Sequence, residues 1–271
     1  MKKMTDSRID GLFAVEKIEC AGCIPFSECR IINERLLNRK VNFRPESAIF
    51  FLVPYYVRDE KRNVSVYAVA RDYHIYFRGL YERLIPKLRE ILPGEDFAGF
   101  ADSSPVAERH GASRAGLGAT GETGQLISEK YGGYVFIGEI LTTAKLKTEV
   151  FEPRPCLKCG LCREKCPDAR CFSYLNQQKG ELDGKTKSLI CETGCVWGCD
   201  VCLDCCPMNN GAKETPIEFF RVGRMPVLTS EAVENMTDEE FSERAFAWKG
   251  RKTILRNLRV LENAHNPHQI L

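Results

Sequence analysis

The chain has 271 residues, 44% apolar and 28% charged, and Lys+Arg 39 against Asp+Glu 37 leaves a net charge of +2. This composition suits one large or two smaller soluble globular domains and excludes a global positive field that would recruit nucleic acid, leaving room only for a local basic patch. The polar opening MKKMTDSRID has no apolar signal core, and AIFFLVPYYV (48–57) is too short to span a membrane as a helix, so a cytoplasmic location is expected, where dense cysteines signal metal rather than disulfides.

In chain order, Cys20, Cys23 and Cys29 come first. Three ligands with no histidine nearby make a poor closed metal site, so they read as small buried apolar residues. AIFFLV (48–53), VSVYAVA (64–70) and YVFIGEIL (134–141) read as strands, rich in β-branched and aromatic side chains. ARDYH sets Arg71, Asp72, Tyr73 and His74 at the end of the second of these. Residues 75–92 space Ile75, Leu80, Leu84, Leu88 and Leu92 as an amphipathic helix, interrupted by Pro86. ADSSPVAER (101–109) puts Asp102 before Pro105, a common place for a turn or cap residue. GASRAGLGATGETG (111–124) holds a nominal G-x-G-x-x-G at Gly116, Gly118 and Gly121. No strand precedes it and no Gly-Lys-Ser/Thr follows, so it is neither a dinucleotide fingerprint nor a P-loop. Its glycines mark a plain turn, or a loop where backbone approaches a large flat ligand or another element.

Two cysteine clusters follow and hold eleven of the fourteen cysteines. Cys156, Cys159, Cys162 and Cys166, with Pro167, match C-x2-C-x2-C-x3-C-P, in which three thiolates bind one cubane and the fourth reaches a second cluster. The second set registers either as Cys199, Cys202 and Cys206 or as Cys199, Cys202 and Cys205. Pro207 after Cys206 mirrors Pro167 after Cys166 and favours Cys206. Zinc competes through the paired C-x2-C spacings, but one zinc site leaves the remaining cysteines and the Cys-Pro step without a role. Cys191 and Cys195 read as bystanders. Beyond the clusters, Thr237 and Glu240 form a capping box, FSERAFAW reads as helix, and RKTILRNLRVLEN (251–263) as another, polar on one side. No internal repeat or low-complexity stretch appears.

The order YAVARDYH, ADSSPVAER…RAGLG, GGYVFIGEIL, the C-x2-C-x2-C-x3-C-P run, CFSYL and WGCDVCLDCCP resembles the epoxyqueuosine reductases over residues 45–260. These cobalamin-dependent proteins with two 4Fe–4S clusters are related to the reductive dehalogenases. The resemblance implies an α+β fold. An N-terminal α/β cobalamin-binding domain (1–150), similar to cobalamin-processing proteins, would precede a ferredoxin-like double-cluster domain (151–215) and a helical C-terminal segment (216–271). It assigns Cys156, Cys159, Cys162 and Cys206 to one cluster and Cys166, Cys171, Cys199 and Cys202 to the other. Corrin contacts would fall at Arg71, Asp72, Tyr73, Gly118, Ile127, Gly138, Ser173 and Tyr174, and Asp102 would be the proton donor. The implied reaction removes an epoxide oxygen with two electrons and two protons, giving an alkene and water. Asp102 would then need a raised pKa in a closed pocket.

The sequence departs from that family in its glycine loop, where Glu122 stands in place of a lysine, and in ending at Leu271 without C-terminal helical repeats. With the near-zero net charge, these departures predict weak transfer-RNA binding and a small-molecule or modified-nucleoside substrate. The expected electron donor is a reduced ferredoxin or a flavodoxin-like protein. The alternative reading is a ferredoxin-like electron carrier or corrinoid-reducing activator, and a third is an iron–sulfur protein whose corrin pocket has decayed.

Overall fold

The computed structural model describes residues 6–265; the first five residues of the polar opening stretch lie outside them. The chain forms two compact units. The first comprises residues 1–55, 76–159 and 208–217, and the second residues 56–75, 160–207 and 218–271.

The first unit is built on a four-stranded antiparallel sheet. Its strands are β1 (Ala21–Pro25), β2 (Ser47–Pro54), β3 (Phe97–Ala101) and β6 (Val135–Thr142), in the order β1-β2-β6-β3. A two-residue pair, β4 (Ala119–Thr120) with β5 (Leu126–Ile127), closes the glycine loop. Every residue of β2 is buried, so this strand needs cover on both faces and shows no polar alternation. On one face, Phe51 meets Phe13 of α1 (Ser7–Val15) at 5.2 Å between ring centroids, and Phe77 and Tyr81 of α3 (Tyr73–Ile91) at 6.3 Å each. On the other, Phe50 packs with Ala112 and Ala115 of the segment that includes α4 (Glu108–Arg114). Glycine permits both packings: a Cβ on Gly138 would stand 2.2 Å from the Phe51 ring, and one on Gly111 2.1 Å from the Phe50 ring. The short helix α2 (Glu34–Lys40) is capped by the Asn33 side chain.

Pro86 does not interrupt α3, contrary to the sequence expectation. Proline removes one hydrogen bond and costs about 3 kcal/mol, while each fully buried leucine returns about 1.5–3 kcal/mol. Leu80, Leu84 and Leu88 are all fully buried along one stripe, and that stripe carries the helix past the proline.

The second unit is helical: α5 (Leu161–Glu164), α6 (Phe172–Asn176), α7 (Gly184–Thr193), α8 (Val201–Asp204), α9 (Ser230–Glu234), α10 (Asp238–Ser242) and α11 (Arg251–His265). Its core gathers Trp197, Phe172, Ile190, Val233, Phe246, Ile254 and Leu258. Residues 64–70 belong to this core and are not a strand. Val64 makes a single bridge to Trp197, and Val66–Ala68 forms a 3-10 turn. The carboxylate of buried Asp200 accepts from Ser65 Oγ at 2.6 Å and from the Val66 N–H at 2.7 Å, which ends extended pairing there. The helix expected over FSERAFAW stops at Ser242. Buried Arg244 then donates to the carbonyls of Val69 (2.7 Å) and Gly223 (2.8 Å), drawing the chain out of register before a 3-10 turn at Ala247–Lys249. The Thr237–Glu240 capping box forms as read. No helix among the described residues is long and apolar enough to cross a membrane.

Candidate functional site

In the second unit, the loop that presents Cys199 is fixed by buried amides. Asn176 Nδ2 donates to the Gly198 carbonyl (2.8 Å), and the Gly198 N–H donates back to Asn176 Oδ1 (3.2 Å). Asn257 of α11 donates to the carbonyls of Asn176 (2.6 Å) and Val196 (2.8 Å). Trp197 Nε1 donates to the Tyr67 hydroxyl at 2.9 Å. Gly198 has φ +71°, and a Cβ there would stand 2.5 Å from Ser65 Cβ, so only glycine makes this turn. Cys171, itself at φ +71°, opens α6.

Cys166, Cys171, Cys199 and Cys202 all lie in this unit, and the charges of Cys166 and Cys171 act on both Cys199 and Cys202. Burial pushes the Cys199 thiol up to about 11 and the Cys202 thiol up to about 12; Asp200 and the thiols of Cys171 and Cys166 add to both rises. Such thiols stay protonated at neutral pH until a metal displaces the protons, and four soft sulfur donors suit iron–sulfur ligation. By donor chemistry the four residues suit a cluster. Among the described residues, no three His, Cys, Asp or Glu side chains converge tightly enough to hold a single metal ion. Cys162 and Cys206 are half-buried in the same unit, while Cys156 and Cys159 end a segment of the first. The Cys156 N–H donates to the Thr120 carbonyl at 3.0 Å. Cys205 directs its sulfur toward the Cys202 carbonyl at 3.8 Å. Of the bystanders, Cys191 directs its sulfur to the Val260 carbonyl (3.8 Å) and Cys195 to that of Gly198 (3.3 Å). In the first unit, burial pushes Cys23 up to about 12 and Cys29 higher still.

The residues that the resemblance links to a corrin divide between the units. In the second, Asp72 caps α3 by accepting from the His74 N–H and facing its Nδ1, both at 2.8 Å. The Tyr73 and His74 rings stack at 4.1 Å. Arg71 lies 4.6 Å over Phe219 and 3.5 Å from Glu243, on the wall of a cleft of about 400 Å³ shared with Met225, Met236 and Arg244. Ser173 accepts from Gln177 at 3.0 Å, and Tyr174 is 61% exposed. In the first unit, a Cβ on Gly118 would stand 2.6 Å from the Ile127 carbonyl oxygen. Gly118 and Gly138 therefore allow close approach within this chain.

Asp102 follows the last residue of β3 in a left-handed conformation, φ +63°, and is exposed on the first unit. The carboxylate of Glu108 accepts from its backbone N–H. The Asp102 carbonyl accepts from the Ser104 N–H at 2.8 Å, and Ser104 Oγ donates to Glu139 Oε2 at 2.8 Å. Burial first, then the charge of Asp102, pushes Glu108 up to about 7; burial first, then Glu108, pushes Glu139 up to about 8. The sequence reading named Asp102 and missed both glutamates. Glu139, a lone charge inside the apolar run YVFIGEIL, was the available signal.

No protein-family model matches the chain. It is 30% identical over 233 residues to the epoxyqueuosine reductase of Escherichia coli, a match covering 81% of this chain and 57% of that enzyme. To the epoxyqueuosine reductase of Pseudomonas aeruginosa it is 34% identical over 169 residues, 58% of this chain and 46% of that one. The chain thus spans about half the length of these relatives. Among solved structures, the epoxyqueuosine reductase of Streptococcus thermophilus matches with a TM-score of 0.78 at 20% identity, over 96% of this chain and 81% of that one. An epoxyqueuosine reductase crystallised with an epoxyqueuosine-modified tRNA stem loop matches at 0.77 and 19%, over 95% and 80%. A catabolic reductive dehalogenase shares the fold more distantly, at 0.50 and 14%, over 92% and 37%. In sequence over four fifths of its length, and in fold over nearly all of it, the chain is similar to epoxyqueuosine reductases, and it shares its fold more distantly with a reductive dehalogenase.

Proposed function

We propose that the protein is an oxidoreductase of the epoxyqueuosine reductase type, which removes the epoxide oxygen of epoxyqueuosine in transfer RNA. The observation that carries this reading is the gathering in one unit of Cys166, Cys171, Cys199 and Cys202, whose charges act on one another, with the Cys199 loop fixed by the amides of Asn176 and Asn257. They are the ligands of one iron–sulfur cluster, with Cys156, Cys159, Cys162 and Cys206 as those of a second. Cobalamin, which Arg71, Asp72, Tyr73, Gly118, Ile127, Gly138, Ser173 and Tyr174 would hold, would supply when bound a metal centre able to reduce carbon. Asp102 holds the proton for the departing oxygen, whose loss as an unprotonated alkoxide would be slow.

The likeness to a relative crystallised with a modified tRNA stem loop, over 95% of this chain, supports a transfer-RNA substrate. It outweighs the contrary expectation drawn from Glu122 and net charge, and no comparison supports a substrate without RNA. The reaction is soluble and cytoplasmic, fed by a reduced ferredoxin or flavodoxin-like donor.

The test is anaerobic purification with iron, sulfide and corrinoid quantified, followed by turnover of an epoxyqueuosine-containing stem loop. About eight iron atoms per chain are expected for two cubanes. Asp102→Asn should lower turnover by roughly 10²–10⁴-fold while iron and corrinoid contents stay unchanged. Stoichiometric zinc in place of iron would overturn the cluster assignment. Electron transfer to other proteins without turnover of the stem loop would mark a carrier instead.

A further inference from the structure

Asp102 stands at the apex of a turn that its own backbone resists. β3 ends at Ala101, whose carbonyl accepts from the Ser103 N–H at 2.8 Å and closes a three-residue turn around Asp102. With φ +63° at its centre, this is the γ-turn of positive sign, the rare and strained form. The next N–H follows suit, Ser104 donating to the Asp102 carbonyl at 2.8 Å. Strain of this kind persists only where the surroundings over-determine it.

Two holds do so here. On one side, residues 30–33 clip the outgoing arm of the loop. The Ile32 and Asn33 N–H groups donate to the Pro105 carbonyl at 2.9 and 3.1 Å, and the Ala107 N–H donates to the Arg30 carbonyl at 2.8 Å. On the other side the hold is one side chain. Ser104, 6% exposed, accepts the Val106 N–H on its Oγ at 3.1 Å and donates to Glu139 Oε2 at 2.8 Å. Glu139 lies on β6 opposite Phe100, two residues before Asp102. Its own N–H donates to the Tyr81 hydroxyl at 3.2 Å, and that hydroxyl donates to the Phe100 carbonyl, so α3 ties both strands beneath the loop. We infer that Ser104 and Glu139 form a latch that keeps Asp102 in its strained turn, which makes both of them positioning residues for the proton transfer. The inference rests on the reading of Asp102 as the acid.

The cost of Glu139 argues for a role beyond packing. Its side chain is 1% exposed, and its Oε1 has no hydrogen-bond partner among the described residues. Burying a carboxyl group that is only half satisfied is unfavourable, whereas Ile137, Ile140 and Leu141 show what the same strand buries without that cost. What Glu139 contributes is a rigid acceptor beneath the loop. An acid transfers its proton only within hydrogen-bond reach of the departing oxygen, and a small displacement is enough to slow the step. Without the latch the turn relaxes toward negative φ, and the Asp102 side chain keeps its chemistry but loses its aim.

The experiment measures kcat and KM of the cluster-loaded protein on the epoxyqueuosine stem loop, and amide hydrogen exchange over residues 101–107, which needs no activity. Ser104→Ala should lower kcat roughly 10–100-fold with KM and iron content unchanged, and should speed exchange of the Ser103, Ser104 and Val106 amides. Ser104→Thr keeps the hydroxyl and should recover most of both. Glu139→Gln keeps an acceptor and should resemble wild type, while Glu139→Leu should resemble Ser104→Ala; the two losses should not add in the double variant. Ser47→Ala is the control. It removes another buried hydroxyl of the same sheet, one that accepts the Leu146 N–H at 3.1 Å, and should leave kcat and loop exchange unchanged. Wild-type kcat or unaltered loop exchange in Ser104→Ala, with Asp102→Asn inactive, overturns the latch and leaves the proposed acid standing. Equal losses in Ser104→Ala and Ser47→Ala reduce the bond to a structural one and overturn it as well. Wild-type turnover in Asp102→Asn overturns both readings. If Ser104→Ala fails to fold, exchange in wild type decides: Ser103, Ser104 and Val106 amides as fast as those of an open loop are fatal to the inference.

Discussion

Replacing Glu139 by Gln keeps the shape of the side chain and an oxygen to accept from Ser104, and removes only the titration. Burial lifts Glu139 from the ordinary 4.5 to about 8, so between those values the folded chain keeps a proton that the unfolded chain has lost. The folded state is then progressively disfavoured as pH rises through that window, and the loss is complete above about 8. At about 1.4 kcal/mol for each pH unit, the full cost is on the order of 5 kcal/mol, of which about 3 kcal/mol falls between pH 6 and 8. Glutamine has no such dependence. Anaerobic urea unfolding, followed by tryptophan fluorescence at pH 6, 7 and 8, should therefore show wild type losing stability relative to Glu139→Gln as pH increases. Glu108 contributes a slope of the same sign to both proteins, and the difference between them reports Glu139 together with its coupling to Glu108. Parallel curves for the two proteins, or a wild type that gains on the variant with rising pH, would refute the claim that Glu139 is folded as a neutral acid.

Two further outcomes test the packing. Gly111→Ala forces a Cβ to 2.1 Å from the Phe50 ring and should cost about 1–3 kcal/mol in thermal or urea unfolding, a loss that Phe50→Leu in the same chain should partly restore. Asn257→Ala strips the carbonyls of Asn176 and Val196 of their donor and should cost about 2–3 kcal/mol; because those bonds position the Cys199 loop, iron content should fall as well.

What the sequence made legible followed from local chemistry. β2 and β6 were readable because they are long apolar runs of β-branched and aromatic residues, and α3 and α11 because their apolar stripes repeat at helical spacing. Of the cysteines that the spacing and the resemblance named, Cys162, Cys166, Cys171, Cys199, Cys202 and Cys206 lie in the second unit. Residues 64–70 misled because a short apolar run has the same appearance in a strand and in a buried turn, and the deciding partner, Asp200, lies far along the chain. β1 escaped notice because Gly22 and Cys23 carry little strand signal; its register against β2 supplies what local preference does not. The glutamates around Asp102 were invisible for a different reason. Their significance is a product of burial and mutual repulsion, which exist only once β3, β6 and α4 have come together.

Asn257 also sets a timetable. The amide that steadies the Cys199 loop lies on α11, so during synthesis the thiols emerge well before the residue that organises them. At about 5–20 residues per second the interval is on the order of 3–10 s, long enough for nascent cysteines to meet oxidants or stray metals. On the proposed cluster assignment, metal loading would be a late step that follows docking of α11. A nonsense mutation within that helix would leave every cysteine in the polypeptide yet yield a product unable to retain iron, and metal content would report damage far downstream of the ligands themselves.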